Sequence, residues 1–319
     1  MQFRTKISIL KSDYPIDYNA KIMSLGSCFA ENMAEKFDYF KFENSCNPFG
    51  ILFHPLAIQK FIDFAVSGKQ FSDEDIFFYN ERWHCFDVHS DISNSNKENF
   101  IANLNAIILS AKQQVQEASH IIITYGTSWV YRNLESNAIV ANCHKVPQKE
   151  FKKELLSVET IKKSMQNTLD LIQKINPNVN FIFTVSPVRH LKDGFVENQL
   201  SKAHLITAIY KILQSEICNL QSATYFPSYE IMMDELRDYR FYAEDMIHPN
   251  SVAIDYIWQR FFETCISEES HSIMKEVETI QKGLQHRPFN PNSESHQQFL
   301  SKLHDKTVKL QNHFPQIQF

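Results

Sequence analysis

The chain has 319 residues, of which 43% are hydrophobic and 22% charged, a balance typical of a globular protein with a large buried core. Its formal net charge is −5, from 37 acidic and 32 basic side chains, which leaves no basic field to recruit nucleic acid. No run approaches the about 20 apolar residues of a membrane helix, and the first residues lack the apolar segment of a signal peptide, so we expect a cytoplasmic protein.

Four short apolar segments predict β-strands, at residues 21–26, 120–125, 180–185 and, more weakly, 223–226. Segments with helical periodicity alternate with them, at residues 29–37, 55–66, 97–117, 157–175, 198–218 and 252–266. This alternation favours an α/β fold, a three-layer α/β/α sandwich with a parallel sheet. Because ligands bind at the carboxyl ends of strands in such folds, we expect the site in the loops at residues 26–29, 126–129 and 186–190.

Three segments depart from the alternating pattern. Residues 68–95 predict an inserted hairpin and loop, and residues 129–145 predict a second hairpin. Residues 267–319 predict two amphipathic helices, a tail that either covers a face of the protein or pairs with another chain to form an oligomer. We therefore divide the chain into a main domain at residues 1–266 and a C-terminal helical hairpin.

The first candidate for chemistry lies where the predicted first strand ends. In KIMSLGSCFAENMAEKF, residues 21–37, the strand breaks at Gly26 and passes into a helix through Ser27 and Cys28. A helix N-terminus favours a thiolate, so Cys28 suits a nucleophile. The alternative is structural, because a lone cysteine at a helix start is often a small buried residue.

A second candidate lies near the end of the main domain, in YAEDMIHPN at residues 242–250. Asp245 stands three residues before His248, a spacing that lets the carboxylate accept the imidazole Nδ1–H. Such a bond fixes the tautomer and stabilises the cation formed during proton transfer. Alone, the motif also fits a helix-entry loop with a hydrogen-bonded histidine.

Seven short motifs occur in order along the chain: GSCFA (26–30), NPFGILFHP (47–55), TYGTSWVY (124–131), VANCHKVP (140–147), SPVRHLKDGF (186–195), SKAHL (201–205) and EDMIHPN (244–250). Together they resemble the blocks of the GSCFA family, over roughly residues 1–265. That family in turn resembles the SGNH, or GDSL-type, hydrolases. The resemblance implies an SGNH-like main domain with the three-layer fold and acyl-transfer chemistry.

The same resemblance implies roles for individual residues. Asp245 matches the orienting acid and His248 the general base, while Gly50 matches a glycine whose backbone N–H joins the oxyanion hole. Ser128 stands where SGNH enzymes usually carry an asparagine amide, and Asn47 is an alternative source of that amide. Losing one oxyanion donor typically costs about 2.7–4 kcal/mol, so this departure weakens the expectation of strong esterase activity.

The identity of the nucleophile depends on the register of the first motif. Aligned without a gap on the usual Gly-Asp-Ser-Leu, the motif places Cys28 at the nucleophile and Ser27 at the aspartate. Asn32 then matches an asparagine of similar plant-type carbohydrate acetyltransferases, which favours this register. A shift of one residue gives the role to Ser27 instead, so both alternatives stay open.

Other polar residues near the predicted site are candidates for substrate binding. They are Gly126, Thr127, His144, Arg189 and His190. We expect structural roles for Lys202 and His204, which lie in a predicted helix. The six cysteines are far apart without a CxxC pair, and His144 has no partner at ligand spacing, so we expect neither a metal site nor a disulfide framework.

The leading hypothesis is an acyl-transfer enzyme, an esterase, deacylase or acyltransferase that needs no bound cofactor. Its expected partner is a small-molecule or carbohydrate acyl ester, a substrate class implied by the resemblance alone. The alternative is a catalytically weak or inactive binding protein on the same scaffold, which the altered oxyanion motif also fits.

Overall fold

Ten strands define the sheets in the part of the chain that the structure describes. The computed structural model describes residues 5–214 and 222–319. In chain order, the strands of these ranges are β1 (Lys21–Gly26), β2 (Glu43–Cys46), β3 (Phe77–Tyr79), β4 (Arg82–His84), β5 (His120–Tyr125), β6 (Trp129–Asn133), β7 (Ile139–Val140), β8 (Phe151–Leu155), β9 (Asn180–Val185) and β10 (Ala223–Phe226).

Helices connect most of these strands. Within the described ranges they are α1 (Cys28–Tyr39), α2 (Pro55–Ser67), α3 (Lys97–Glu117), α4 (Val158–Ile175), α5 (Phe195–Leu213), the short α6 (Ser228–Glu230), α7 (Ser251–Cys265), α8 (Ser270–Leu284) and α9 (Glu294–His313). The helix expected at residues 198–218 begins at Phe195, and residues 215–218, Cys218 among them, lie outside the described residues.

The central sheet is parallel throughout, in the order β10-β9-β5-β1-β2. The four strands predicted from apolar runs have the predicted bounds, and the α/β prediction is confirmed. Sequence reasoning missed β2, because its residues ENSC carry no apolar run and the strand lies at the sheet edge.

Helices cover both faces of this sheet, which gives the three-layer sandwich. In β5, the side chains of Ile121 and Ile123 point into one core and that of Ile122 into the other, as the two-residue period of a strand requires. The first core is built with α2, α3, α4 and α5, and the second with α1, α7, α8 and α9. Because the sheet is buried on both faces, its strands read as continuous apolar runs.

The C-terminal helices α8 and α9 pack onto the chain itself. Met274, Val277 and Leu310 belong to the core that also contains α1 and α7. The Gln316 amide donates to the Tyr18 carbonyl at 2.9 Å. The tail thus covers one face of the sandwich, as the first of the two expected alternatives requires. In the described ranges, none of the helices combines the length and apolarity needed to cross a bilayer.

Two small antiparallel sheets lie outside the central one. The expected insert contains the hairpin β3–β4, and the expected second hairpin is extended by β8 into the order β7-β6-β8. His144 joins the two regions, since its Nε2 donates to the Cys85 carbonyl at 2.7 Å. The second hairpin directly follows the loop after β5, and the insert contacts the segment after β2, where the His89 N–H donates to the Phe49 carbonyl at 2.8 Å.

Candidate active site

The turn after β1 requires glycine at position 26. Gly26 has φ +133°, and a Cβ there would lie 2.0 Å from the Thr124 carbonyl oxygen. Two hydrogen bonds fix the turn: the Gly26 N–H donates to Asn47 Oδ1 at 2.8 Å, and the Ser27 N–H donates to the Thr124 carbonyl at 3.0 Å. Strand β1 therefore runs against β5 to its last residue and passes directly into α1.

This turn exposes the two candidate nucleophiles differently. Ser27 is the N-cap of α1 and is fully buried, and its hydroxyl has no hydrogen-bond partner within residues 5–214 and 222–319. Cys28 is the first helical residue and is only partly buried. Because a nucleophile must contact its substrate, the geometry favours the thiol over the hydroxyl.

Several neighbours act on the Cys28 thiol. Burial raises its pKa, and the Glu31 carboxylate adds to that effect. Lys202 lowers the pKa, as do the backbone N–H groups of Phe29 and Cys28 at the start of α1. These N–H groups are among those that an α-helix leaves without an intrahelical partner, so the thiol lies beside donors suited to an anion.

Asp245 and His248 form the hydrogen-bonded pair that their spacing predicts. Asp245 Oδ2 lies 2.6 Å from His248 Nδ1, and Oδ1 accepts the N–H groups of His248 and Ile247 at 3.0 and 2.9 Å. These bonds lower the pKa of the Asp245 carboxyl to about 2. The imidazole is about half exposed, and Nε2 is the nitrogen left for proton transfer. Among the described residues, no hydrogen bond joins it to Ser27 or Cys28.

Arg189 supports the loop that carries this pair. Its backbone N–H donates to the Ile247 carbonyl at 3.5 Å, and its Nη2 donates to the Met246 carbonyl at 3.3 Å. The guanidinium also stacks near aromatic rings, the nearest being Tyr242, whose ring centre is 4.7 Å away. The loop after β9 thus contacts the Asp245–His248 loop through both the backbone and the side chain of Arg189.

The expected oxyanion donors are engaged elsewhere in this structure. The Gly50 N–H donates to the Asn47 carbonyl at 2.7 Å, while the Asn47 amide Nδ2 donates to Glu31 Oε1 at 3.5 Å. Ser128 is fully buried, and its hydroxyl donates to the Ser201 carbonyl at 2.5 Å. The backbone donors that act on the thiol are instead the N–H groups at the start of α1.

Lys202 is the residue of this region that sequence reasoning missed. Its side chain is 0% exposed, and Nζ donates to the carbonyls of Gly126 at 2.7 Å and Ser186 at 2.8 Å, just beyond the ends of β5 and β9. Burial lowers its pKa to about 7. These two bonds fit the structural role expected for Lys202 and also place its Nζ at the carboxyl ends of β5 and β9. His204 bonds the Leu156 carbonyl, in keeping with the same expectation.

A signal for Lys202 was present in the helix pattern. It lies within the buried stripe of α5, together with the side chains of Asn198, Ser201, Leu205, Ala208, Ile209 and Ile212. Its spacing from Asn198 and Leu205 is that of one helix face. A lysine on the buried face of a helix is unusual unless a polar environment receives it, and this stripe predicts such an environment at the carboxyl ends of the strands.

A cavity of about 430 Å³ lies next to the turn after β1. Thr127 and His190 line it, and its apolar walls come mainly from Phe53, Trp129, Tyr131, Val140, Val146 and Phe151. Gly126 packs between the cavity wall and the turn. A Cβ added to it would lie 3.3 Å from the Phe53 ring on one side and 3.3 Å from the Ser27 Cβ on the other. The cavity and the turn thus meet on either side of Gly126, and neither Cys28 nor His248 is among the described residues that line the cavity.

His190 is the titratable group between the cavity and the rest of the site. Burial lowers its pKa to about 4, with smaller contributions of the same sign from Lys202 and His248 and an opposing one from Asp193. Among the described residues, its buried Nε2 has no hydrogen-bond partner. This nitrogen can hydrogen-bond a ligand only if the ring moves enough to expose it to the cavity.

His144 lies away from this cavity. Its Nε2 donates to the Cys85 carbonyl at 2.7 Å, its Nδ1 lies 3.4 Å from the Ser90 hydroxyl, and burial lowers its pKa to about 4. Both nitrogens thus serve the packing of the insert against the second hairpin. Within the described residues, the cysteines are free and no cluster of three or more His, Cys, Asp or Glu could hold a metal ion.

Comparison with known proteins identifies the family. The GSCFA family matches residues 21–261, and the description "GSCFA domain protein, C-terminal domain" matches residues 277–319. No curated protein and no solved structure gives a significant match. The first match covers well over half of the chain and includes the turn after β1 and the Asp245–His248 pair. The chain therefore belongs to the GSCFA family.

Proposed function

We propose that this protein is an acyl-transfer enzyme of the SGNH type, in which Cys28 is the nucleophile, His248 the general base and Asp245 its orienting partner. The observation that carries the proposal is the 2.6 Å Asp245–His248 hydrogen bond, in a loop tied to the carboxyl end of β9. The Cys28 thiol follows β1 at the same edge of the parallel sheet. Acyl transfer needs a nucleophile and a general base that is held in place by an acidic residue. The Cys28 thiol and the Asp245–His248 pair supply these groups at the carboxyl ends of the strands.

The reaction proceeds in two steps. The thiolate attacks the acyl carbonyl, the ester C–O bond breaks, and the leaving alcohol takes a proton from the His248 imidazolium. Water or an acceptor alcohol then attacks the thioester, His248 takes its proton, and the thiolate is released. The N–H groups at the start of α1 support the oxyanion, since Gly50 and Ser128 would first have to release their present partners.

The cavity beside the turn supports a substrate with a sizeable apolar or flat group. Its volume of about 430 Å³ lies within the range of ligand pockets, and its walls are mostly aromatic and aliphatic. Thr127 and His190 supply polar groups at its wall, where a hydroxyl or an ester oxygen would bind. Acyl esters, including acylated carbohydrates, fit this combination.

Kinetic measurements with an activated ester test the proposal. We expect the wild-type protein to turn over p-nitrophenyl acetate and release p-nitrophenol. In Cys28→Ala and His248→Ala, the rate of turnover should fall to that of the uncatalysed reaction. Ser27→Ala is the matched control, since it removes a hydroxyl from the same turn and keeps the thiol. Loss of activity in Ser27→Ala with full activity in Cys28→Ala would give the role to Ser27. Equal activity in all variants and the wild type would overturn the mechanism.

A binding protein on the same scaffold is the second candidate. The observation in its favour is that the Gly50 N–H and the Ser128 hydroxyl are both engaged within the fold. Such a protein would bind the ester in the cavity without forming a covalent intermediate. Saturable binding of a non-hydrolysable ester analogue, together with no turnover and no adduct, would favour it over the enzyme.

A further inference from the structure

Lys202 presents a buried cationic group to the turn that carries Cys28. The side chain is fully buried, and Nζ is held by the carbonyls of Gly126 and Ser186. An ammonium group has three N–H donors, so these two bonds leave one. The Gly126 position is itself in contact with the turn, because its Cβ site lies 3.3 Å from the Ser27 Cβ.

A buried ammonium needs a compensating charge. Among the ion pairs of the described residues, none joins Lys202 to a carboxylate. A negative charge on Cys28 raises the pKa of Lys202, and the positive charge on Lys202 lowers the pKa of Cys28. Two carbonyl dipoles alone offset burial of a charge only in part. The Cys28 thiolate is therefore the anion best placed to balance Lys202.

The other groups around the pair do not replace this interaction. Glu31, on the same helix as Cys28, has the opposite effect on the thiol. His190 is a potential second cation, but Lys202 and burial keep it neutral. The Tyr229 ring centre lies 5.4 Å from Lys202 Nζ, and its hydroxyl donates to Gln199.

We propose that Lys202 is a positioning residue that stabilises the Cys28 thiolate, while His248 acts on the leaving and accepting alcohols. The inference rests on the proposed function for its place in the reaction. When the thiol ionises, its S–H bond breaks and the proton leaves to solvent, and the ammonium form of Lys202 is the form that stabilises the thiolate. This division explains why no hydrogen bond joins His248 to the thiol in the described structure.

The test is the pH dependence of Cys28 alkylation by iodoacetamide, followed by peptide mass mapping. We expect Lys202→Gln, which retains amide donors for the two carbonyls but no charge, to raise the midpoint of the profile by about one pH unit. That shift lowers the rate near pH 7 about tenfold. Lys211→Met, which removes an exposed lysine from the same helix, and His248→Ala are the controls and should leave the midpoint unchanged. An unchanged midpoint in Lys202→Gln would overturn the proposal.

A reciprocal measurement applies even if Lys202 variants do not fold. NMR titration of lysines labelled with carbon-13 at the ε position gives the Lys202 pKa in the wild type and in Cys28→Ala. Because the thiolate raises the Lys202 pKa, its removal should lower that value, whereas an equal pKa in both proteins would contradict the pairing. Alkylation and titration report the ionisation of Cys28 and Lys202, and neither measurement depends on turnover of a substrate. A protein that shows the coupling but forms no acyl adduct would thus refute the proposed function alone.

Discussion

Replacing Gly26 by alanine perturbs the turn on which the candidate site depends. The new Cβ would lie 2.0 Å from the Thr124 carbonyl oxygen, a backbone atom that cannot rotate away. At φ +133°, an alanine also has a strained backbone, which costs about 1–3 kcal/mol. Separation of β1 from β5 at this end loses about 1 kcal/mol for each of about two hydrogen bonds. The expected loss is therefore about 3–5 kcal/mol.

Gly68→Ala is the matched control for this substitution. Gly68 also has a positive φ, +70°, but its nearest neighbour would be Lys112 Nζ at 3.9 Å. Gly68→Ala should therefore lower the free energy of unfolding only by the backbone strain, about 1–2 kcal/mol. Thermal unfolding followed by circular dichroism should show a Tm loss of roughly 4–8 °C for Gly26→Ala and about half of that or less for Gly68→Ala. Equal losses in the two variants would refute the argument from close approach.

Three further substitutions test other parts of the molecule. Asp245→Asn should lower esterase activity by up to about 10⁴-fold. Because the pKa of Asp245 is about 2, this loss should be the same at every pH from 5 to 9, and a loss confined to acidic pH would contradict the assignment. Arg260→Met leaves the buried Glu235 without its partner at 3.0 Å, so urea unfolding should show a loss of about 3–5 kcal/mol. Lys6→Met removes the partner of Glu263 in an exposed ion pair and should lower the free energy of unfolding far less. Equal losses in the two variants would contradict the role of the buried pair. The pKa of His144 is about 4 when folded and 6.5 when unfolded, so the unfolded chain binds the extra proton and the free energy of unfolding falls as the pH drops from 6.5 to 4. His144→Gln should reduce that fall, and an undiminished fall would contradict this role.

The fold was largely predictable because its signals are local. The apolar runs of β1, β5, β9 and β10 are buried on both faces, and each gave the strand bounds that the structure has. Strand β2 has no such run, since it pairs with β1 only on one side, and its existence depends on a neighbour distant in sequence. β8 was missed for a related reason: FKKEL alternates weakly and is defined by its pairing with β6.

The site was predictable in part. The Asp245–His248 contact lies within one turn of chain, so its spacing was enough to predict it. Lys202 donates to two carbonyls that come together only when β5 and β9 pair, and no local pattern gives these two partners. The Gly50 N–H, by contrast, bonds the Asn47 carbonyl within one local turn, a bond that the match to an oxyanion glycine did not predict.

The central claim is that the Cys28 thiol carries the acyl group during the reaction. Tryptic cleavage after Lys21 and Lys36 releases one peptide that contains both candidate nucleophiles. The protein is mixed with p-nitrophenyl acetate, quenched in acid within seconds, digested and sequenced by fragmentation mass spectrometry. The account predicts an acetyl group on Cys28 that hydroxylamine removes, and it predicts that this group persists longer in His248→Ala, which lacks the base for its hydrolysis. An acetyl group on Ser27, or none on this peptide, would contradict it.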